Sequence, residues 1–195
     1  MILLLQEETA LIEGLQNGDS RSFRILVETY QNRVYNTTLG FLQHAEDAED
    51  LTQEIFVQVH QSIHRFKGES KLSTWIYRIV VSRSLDVLRS RKAKKRFAIL
   101  RSLFGSENEL KYDSPDFDHP GIVLQKKEQA TMLFHAIHQL PDQQKSAFIL
   151  HKLEGQSYKE IAEILGISLS AVESLLFRAK NNLRTIIKTY YSELL

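Results

Sequence analysis

The chain has 195 residues, 43% of them hydrophobic, with a net charge of +1 and no cysteine. That length suits one large domain or two small ones with ordinary cores. The near-neutral balance excludes a polycation, so any nucleic-acid surface must come from local asymmetry, and the absent cysteine excludes disulfides and thiolate metal sites.

The opening "MILLLQEE" gives five apolar residues and then turns acidic. It is too short for the apolar region of a signal peptide and lacks a basic start. No run approaches the roughly 20 apolar residues of a membrane span. A soluble cytoplasmic protein without membrane insertion is expected.

Only three prolines and eight glycines occur, and most segments carry helical spacing, with no run of alternating strands. The pattern predicts an all-α chain. Helices over the first 100 residues are broken at residues 16–20, 42–47 and 66–73. The stretch "SLFGSENELKYDSPDFDHPG" holds two of the prolines and an excess of acid, which is linker composition. The expected organisation is a helical domain over residues 1–100, a flexible acidic linker over 101–121 and a second helical domain over 122–195.

"DAEDLTQEIFVQVHQSIHRF" (47–66) is amphipathic: Leu51, Ile55, Val59 and Ile63 recur every four residues, and Asp47, Asp50 and Glu54 share the solvated face. Such a face suits a solvated surface as well as a partner. Its carboxylates have no histidine on the same face, so no metal is expected there.

"STWIYRIVVSRSLDVLRSRKAKKRF" (73–97) is apolar around most of its circumference, which predicts burial by neighbours. One narrow stripe is polar, formed by Arg78, Ser82, Asp86 and Arg89. It runs into "RSRKAKKR" (89–96) and lies beside a loop with Phe66, Lys67 and Lys71. Bases interleaved with aromatics such as Tyr77 and Trp75 suit single-stranded nucleic acid, although Trp75 by itself fits a core position at least as well.

In "YKEIAEILGISLSAVESLLFRAKNNLR" (158–184), Ser157 and Glu160 form a capping box and Gly166 supplies a turn. Ser168 can cap a second helix. Ile161, Ala162 and Leu165 form the inner face of the first helix. Val172, Leu175, Leu176 and Ala179 form one arc of the second, opposite Ser170, Glu173, Ser174, Phe177, Arg178 and Asn181. The small Ala162, the turn glycine and Val172 meet the helix-turn-helix pattern, whose second helix enters the major groove. That helix is poor in phosphate-neutralising charge, with Lys180, Arg184 and Lys188 as nearby sources, so this domain alone should bind DNA weakly.

Taken in series, "DAEDLTQEIF", the loop and helix from Phe66 to Ile79, "SLDVLR", "LPDQQKSAFILHKLEGQSYKEIAEILGIS" and "FRAKNNLR" resemble a bacterial RNA polymerase sigma factor of the extracytoplasmic-function (ECF) group. The resemblance runs from about Glu7 to Leu183 in the right order and spacing. It implies core RNA polymerase and promoter DNA as partners, no cofactor, and a candidate anti-sigma partner, since many relatives are held inactive by one. Asp47, Asp50, Gln53 and Glu54 would dock on polymerase. Phe66, Lys67, Lys71, Tyr77, Arg78, Ser82, Arg83 and Arg89 would melt and read the −10 element. Ser170, Glu173, Ser174, Phe177, Arg178 and Lys180 would read the −35 element, and the linker would thread through the polymerase. The sequence departs from the family pattern at Ser82, where asparagine is frequent, at Glu173, Leu175 and Phe177, and at His60 in place of a frequent tryptophan. Those departures bear on promoter sequence rather than role.

Two other functional classes compete with this reading. A helix-turn-helix regulator acting without a sigma role would explain residues 158–184 and leave the acidic helix, basic stripe and linker without a task. An enzyme would need a nucleophile–base pair, a phosphate loop or metal spacing. The pairs His60/His64 and His135/His138 have no third ligand.

Overall fold

A computed structural model of the chain describes residues 2–103 and 127–193. The described residues are helical, with turns between: α1 (Ile2–Gln16), α2 (Ser20–Leu42), α3 (Ala45–Ser62), α4 (Leu72–Leu103), α5 (Lys127–Gln139), α6 (Asp142–Lys152), α7 (Tyr158–Leu165) and α8 (Leu169–Glu193). The breaks fall where the sequence places them. Gly18 takes a positive φ of 75°, and Asp19 then caps α2 by accepting from the Ser22 amide at 2.8 Å. α4 is longer than expected and continues through Leu103, into the first residues of the expected linker. The rest of that linker lies outside the described residues.

In α1–α4 the buried residues are those of the amphipathic arcs. Leu51, Ile55 and Val59 of α3 and Ile76, Val80 and Leu88 of α4 are buried in the same core. α1 fastens the loop between α3 and α4. The Gln16 side-chain amide donates to the Phe66 carbonyl at 2.8 Å, and Glu8 accepts from the Leu72 amide at 3.0 Å, capping α4. In α5–α8 the core is Ile137, Ile149, Leu150, Ile161, Val172 and Ala179. The buried side chains of both groups join into one contiguous core.

Lys145 of α6 is fully buried, and its Nζ has no hydrogen-bond partner among the described residues. Burial, with the nearby Lys92 charge, pulls its pKa down to about 8 against the opposing pull of Asp142. A lysine lowered on folding costs stability while it is protonated. The cost is full below pH 8 and is relieved as pH rises toward the unfolded value near 10.5. The free energy of unfolding should therefore rise by about 2 kcal/mol between pH 8 and pH 10. Urea melts of the chain and of Lys145→Met check this: the variant should lose the rise and be more stable at pH 7 by about 2–3 kcal/mol.

Candidate nucleic-acid interface

Three surfaces carry the residues singled out in the sequence. The first is the outer face of α3. Asp50, Gln53 and Glu54 are exposed, while Asp47 is half-buried. Asp47 is held by Arg91 at 2.5 Å and by His44, whose Nδ1 lies 2.9 Å from its carboxylate. Glu54 pairs with Arg83 of α4 at 2.7 Å. With Val57, Gln58 and Gln61 these residues line an open depression of about 900 Å³. Val57 is 55% exposed among them and was missed in the sequence reading. The signal was available: Val57 is an apolar residue that does not fall in the four-residue repeat of Leu51, Ile55 and Val59. An exposed apolar residue among polar neighbours suits a protein–protein contact.

The second surface is α4 with the loop before it. Arg78, Ser82, Asp86 and Arg89 are exposed as one stripe, and Lys67 and Lys71 are exposed on the loop. Two members of the set are buried. Phe66 is 6% exposed, its ring centroid 5.4 Å from that of Trp75, and Tyr77 is 1% exposed. Arg83 is half-buried and turned to Glu54. Several of these groups already have partners from residues 142–163. Lys71 meets Glu160 at 3.3 Å, the Tyr77 hydroxyl donates to Glu154 at 2.8 Å, and Arg78 donates twice to the Glu163 carbonyl, at 3.1 and 2.8 Å. Arg89 and Lys92 each lie 3.6 Å from the Asp142 carboxylate. Burial pushes both the Tyr77 hydroxyl and the Glu154 carboxyl above their usual ranges. The Tyr77 hydrogen bond and Arg33 oppose the rise at Glu154.

The third surface is α8. The Ser157–Glu160 capping box is formed, Gly166 ends α7 at φ 65°, and the Ser168 hydroxyl accepts from the Ala171 amide at 3.2 Å. Val172, Leu175, Leu176 and Ala179 are buried as their arc requires. In α7 the buried pair is Ile161 and Ile164, while Ala162 and Leu165 are half-buried, so the inner face is turned slightly from the one read in the sequence. The outer arc is open: Ser170, Glu173, Ser174, Phe177, Arg178 and Lys180 are all exposed, Phe177 to 67%. Glu173, Ser174, Phe177 and Arg178 line a shallow depression of about 510 Å³. Arg178 is laid along its own helix, its Nε donating to the Ser174 carbonyl at 3.2 Å. A helix held on one side by an apolar arc and presenting an acid, a hydroxyl, a ring and a guanidinium on the other has the means to discriminate base edges.

Among the described residues no group of three or more His, Asp or Glu is placed to hold a metal ion, and no helix is long and apolar enough to cross a membrane.

The comparisons with known proteins follow this division. The Sigma-70 region 2 family matches residues 26–94, and the Sigma-70, region 4 family matches residues 131–183. The chain is 32% identical to the ECF RNA polymerase sigma-E factor of Haemophilus influenzae over 181 residues, covering 93% of this chain and 95% of that one. It is 28% identical to the RNA polymerase sigma-H factor of Pseudomonas aeruginosa, over 92% of this chain and 93% of that one. Among solved structures, CnrH in complex with the cytosolic domain of CnrY matches its fold with a TM-score of 0.67 at 19% identity, over 93% of this chain and 97% of that one. The chain belongs to the sigma-70 family as an ECF sigma factor, a subunit that binds core RNA polymerase and directs promoter-specific transcription.

Proposed function

We propose that the three surfaces divide promoter work among them. The α3 face, with Asp47, Asp50, Gln53 and Glu54 around Val57, docks on a basic surface of polymerase. The loop from Phe66 and the stripe from Arg78 to Arg89 open and read the −10 element as single strand. The outer arc of α8 reads the −35 element as duplex. This places the domain boundaries at residues 1–100 and 122–195, with 101–121 as the tether, and places the chain in the cytoplasm, where it acts by binding rather than catalysis.

The observation that carries the reading is the α8 arc. Its residues are exposed and ordered for base contact, yet offer little charge for phosphate. Affinity must then come from a partner that holds the helix near DNA and raises its effective concentration. A regulator working without polymerase is not favoured, because it leaves the α3 face and the α4 stripe idle. The Bartonella quintana sigma factor RpoE, solved in complex with the anti-sigma factor NepR, shares the fold at 20% identity with a TM-score of 0.59. An anti-sigma protein is accordingly a candidate partner of this chain.

The test is run-off transcription by core polymerase on a library of genomic promoters, with and without the chain. Transcripts that start at a shared pair of elements only when the chain is present are expected. A library transcribed identically in both cases would sink the reading. Within it, Arg78→Ala with Arg89→Ala should leave closed-complex formation within about twofold and lower permanganate reactivity of the −10 strand about tenfold, the scale of one or two lost cation–phosphate or stacking contacts. Equal loss at both stages would count against the −10 assignment.

A further inference from the structure

The loop between α3 and α4, residues 66–71, is held at both ends by one outside element. That element is α1, which lies ahead of residues 26–94, the span of the region 2 match. At the near end the Gln16 side-chain amide donates to the Phe66 carbonyl at 2.8 Å and reaches the Ile63 carbonyl at 3.4 Å. At the far end the Glu8 carboxylate accepts from the Leu72 amide at 3.0 Å. We propose that Gln16 and Glu8 are positioning residues for base selection: α1 sets the loop in place for the promoter strand, and these two side chains decide how sharply the loop discriminates its bases. The proposal rests on the reading of the loop as part of the −10 reader, and adds residues that act on the strand only through the loop.

The loop has little of its own to hold it. Lys67, Gly68, Glu69 and Lys71 are exposed, and Gly68 takes a positive φ of 73° with open space where a Cβ would stand. Phe66 and Leu72 on either side are buried, at 6% and 1% exposure, so the backbone leaves the core at one and returns to it at the other. Their side chains fix where the loop begins and ends. Its direction depends on the Phe66 carbonyl, just past the short turn Ile63–Arg65, and on the Leu72 amide, the first of α4. A first-turn amide has no partner within its own helix, and a carboxylate there is favoured by the helix dipole as well. Glu8 therefore fits the far anchor, and the amide of Gln16 fits the carbonyls of the near one.

α1 is itself firmly seated. Leu15 is buried, and Leu11 and Ile12 pack against the core. Gly14 lies so close to α2 that a Cβ there would come 2.2 Å from the Ser22 hydroxyl oxygen. That hydroxyl donates to Asp19, the cap of α2, at 2.7 Å. The close approach ties α1 to the start of α2 and gives it a fixed place from which to hold the loop.

A loop anchored at both ends is in reading position before the strand arrives. Freed at one end, it holds that position only part of the time. At a fraction of about one in three to one in ten, its hold on the preferred base falls three- to tenfold. A base the loop does not favour has little contact to lose. The loss thus falls on promoters with the preferred base, and selectivity flattens only where the loop reads. A purely structural role for α1 would lower every promoter alike.

The test is run-off transcription by holoenzyme on promoters with point changes across the −10 and −35 elements. Gln16→Glu keeps the side chain's shape and turns its donor into an acceptor. Glu8→Ala removes the acceptor at Leu72, and Glu8→Gln restores one. Gln16→Glu and Glu8→Ala should each lose about three- to tenfold in discrimination at one or two −10 positions. Their −35 profile and their pull-down by core polymerase should stay within about twofold of the parent, and Glu8→Gln should do so at every position, since its hydrogen bond is kept. An unchanged −10 profile in Gln16→Glu and Glu8→Ala, an equal fall on all promoters, or the same flattening by Glu8→Gln as by Glu8→Ala overturns the proposal. Lys67→Ala with Lys71→Ala tests the loop reading beside it. If that pair also leaves the −10 profile unchanged, the loop does not read the element. If the pair shifts the profile and the α1 variants do not, the loop reads and α1 does not position it.

Discussion

Asp50→Lys with Glu54→Lys is expected to abolish assembly with core polymerase in a pull-down, lowering affinity by a hundredfold or more. Placing like charges across an interface built for opposite ones costs several kcal/mol. The two positions are not equivalent. Asp50 is exposed and makes no ion pair among the described residues, so Asp50→Lys tests docking alone. Glu54→Lys also breaks the 2.7 Å pair with Arg83, although an exposed pair contributes only about 0–1 kcal/mol to the fold. Thermal melts should therefore stay within a few degrees of the parent, which separates lost docking from lost structure. Val57→Asp should reach a similar loss by a different route, since it puts a charge in place of the apolar residue that lines the depression. Unchanged pull-down by all three variants would remove the α3 face from polymerase docking.

Much of this surface was legible in the chain because helix periodicity sorts residues by face. The arcs of α3 and α8 required nothing beyond the 100° step, and the buried residues Leu51, Ile55, Val59, Val172 and Ala179 follow it. Capping and turn residues marked the break at Ser157 and Gly166 for the same local reason, while the Asp19 cap within the break at 16–20 emerged only from the structure. What the sequence could not display is what depends on contacts far apart in the chain. Tyr77 reads as an aromatic beside a basic stripe, and only the fold brings Glu154, 77 residues away, to its hydroxyl. Gly40 looks like a helix weakness until Leu153 is placed against it. Lys145 sits among polar residues in "PDQQKS", and nothing local announces that its ammonium is enclosed. The packing of α6 and α7 against α4 belongs to the same class, because each partner alone is an ordinary surface acid or carbonyl.

The remaining large effect concerns Glu173, an acid on a helix that faces DNA. It is exposed on the outer arc beside Ser174 and Phe177, away from buried Val172 and Leu176, so a charge change there should not unfold the domain. A glutamate at a base edge can accept from the amino group of cytosine. Glu173→Gln should then relax preference at one −35 base pair by about 1–3 kcal/mol, a five- to 150-fold loss of discrimination confined to that position. If Glu173 instead only repels phosphate, Glu173→Lys should strengthen binding to every sequence and steepen its salt dependence by roughly one counterion. Arg178→Ala supplies the contrast. Its guanidinium is laid back on the Ser174 carbonyl through Nε, so it can turn outward at the cost of one exposed hydrogen bond. A phosphate contact predicts uniform weakening, a guanine contact a loss at one position. Transcription from a −35 point-mutant series reads all three. With polymerase supplying most of the affinity, the profile across sequences should move more than the total activity. An unaltered profile with unaltered activity in every variant would take α8 out of promoter reading, and the exposed Phe177 would then need another partner.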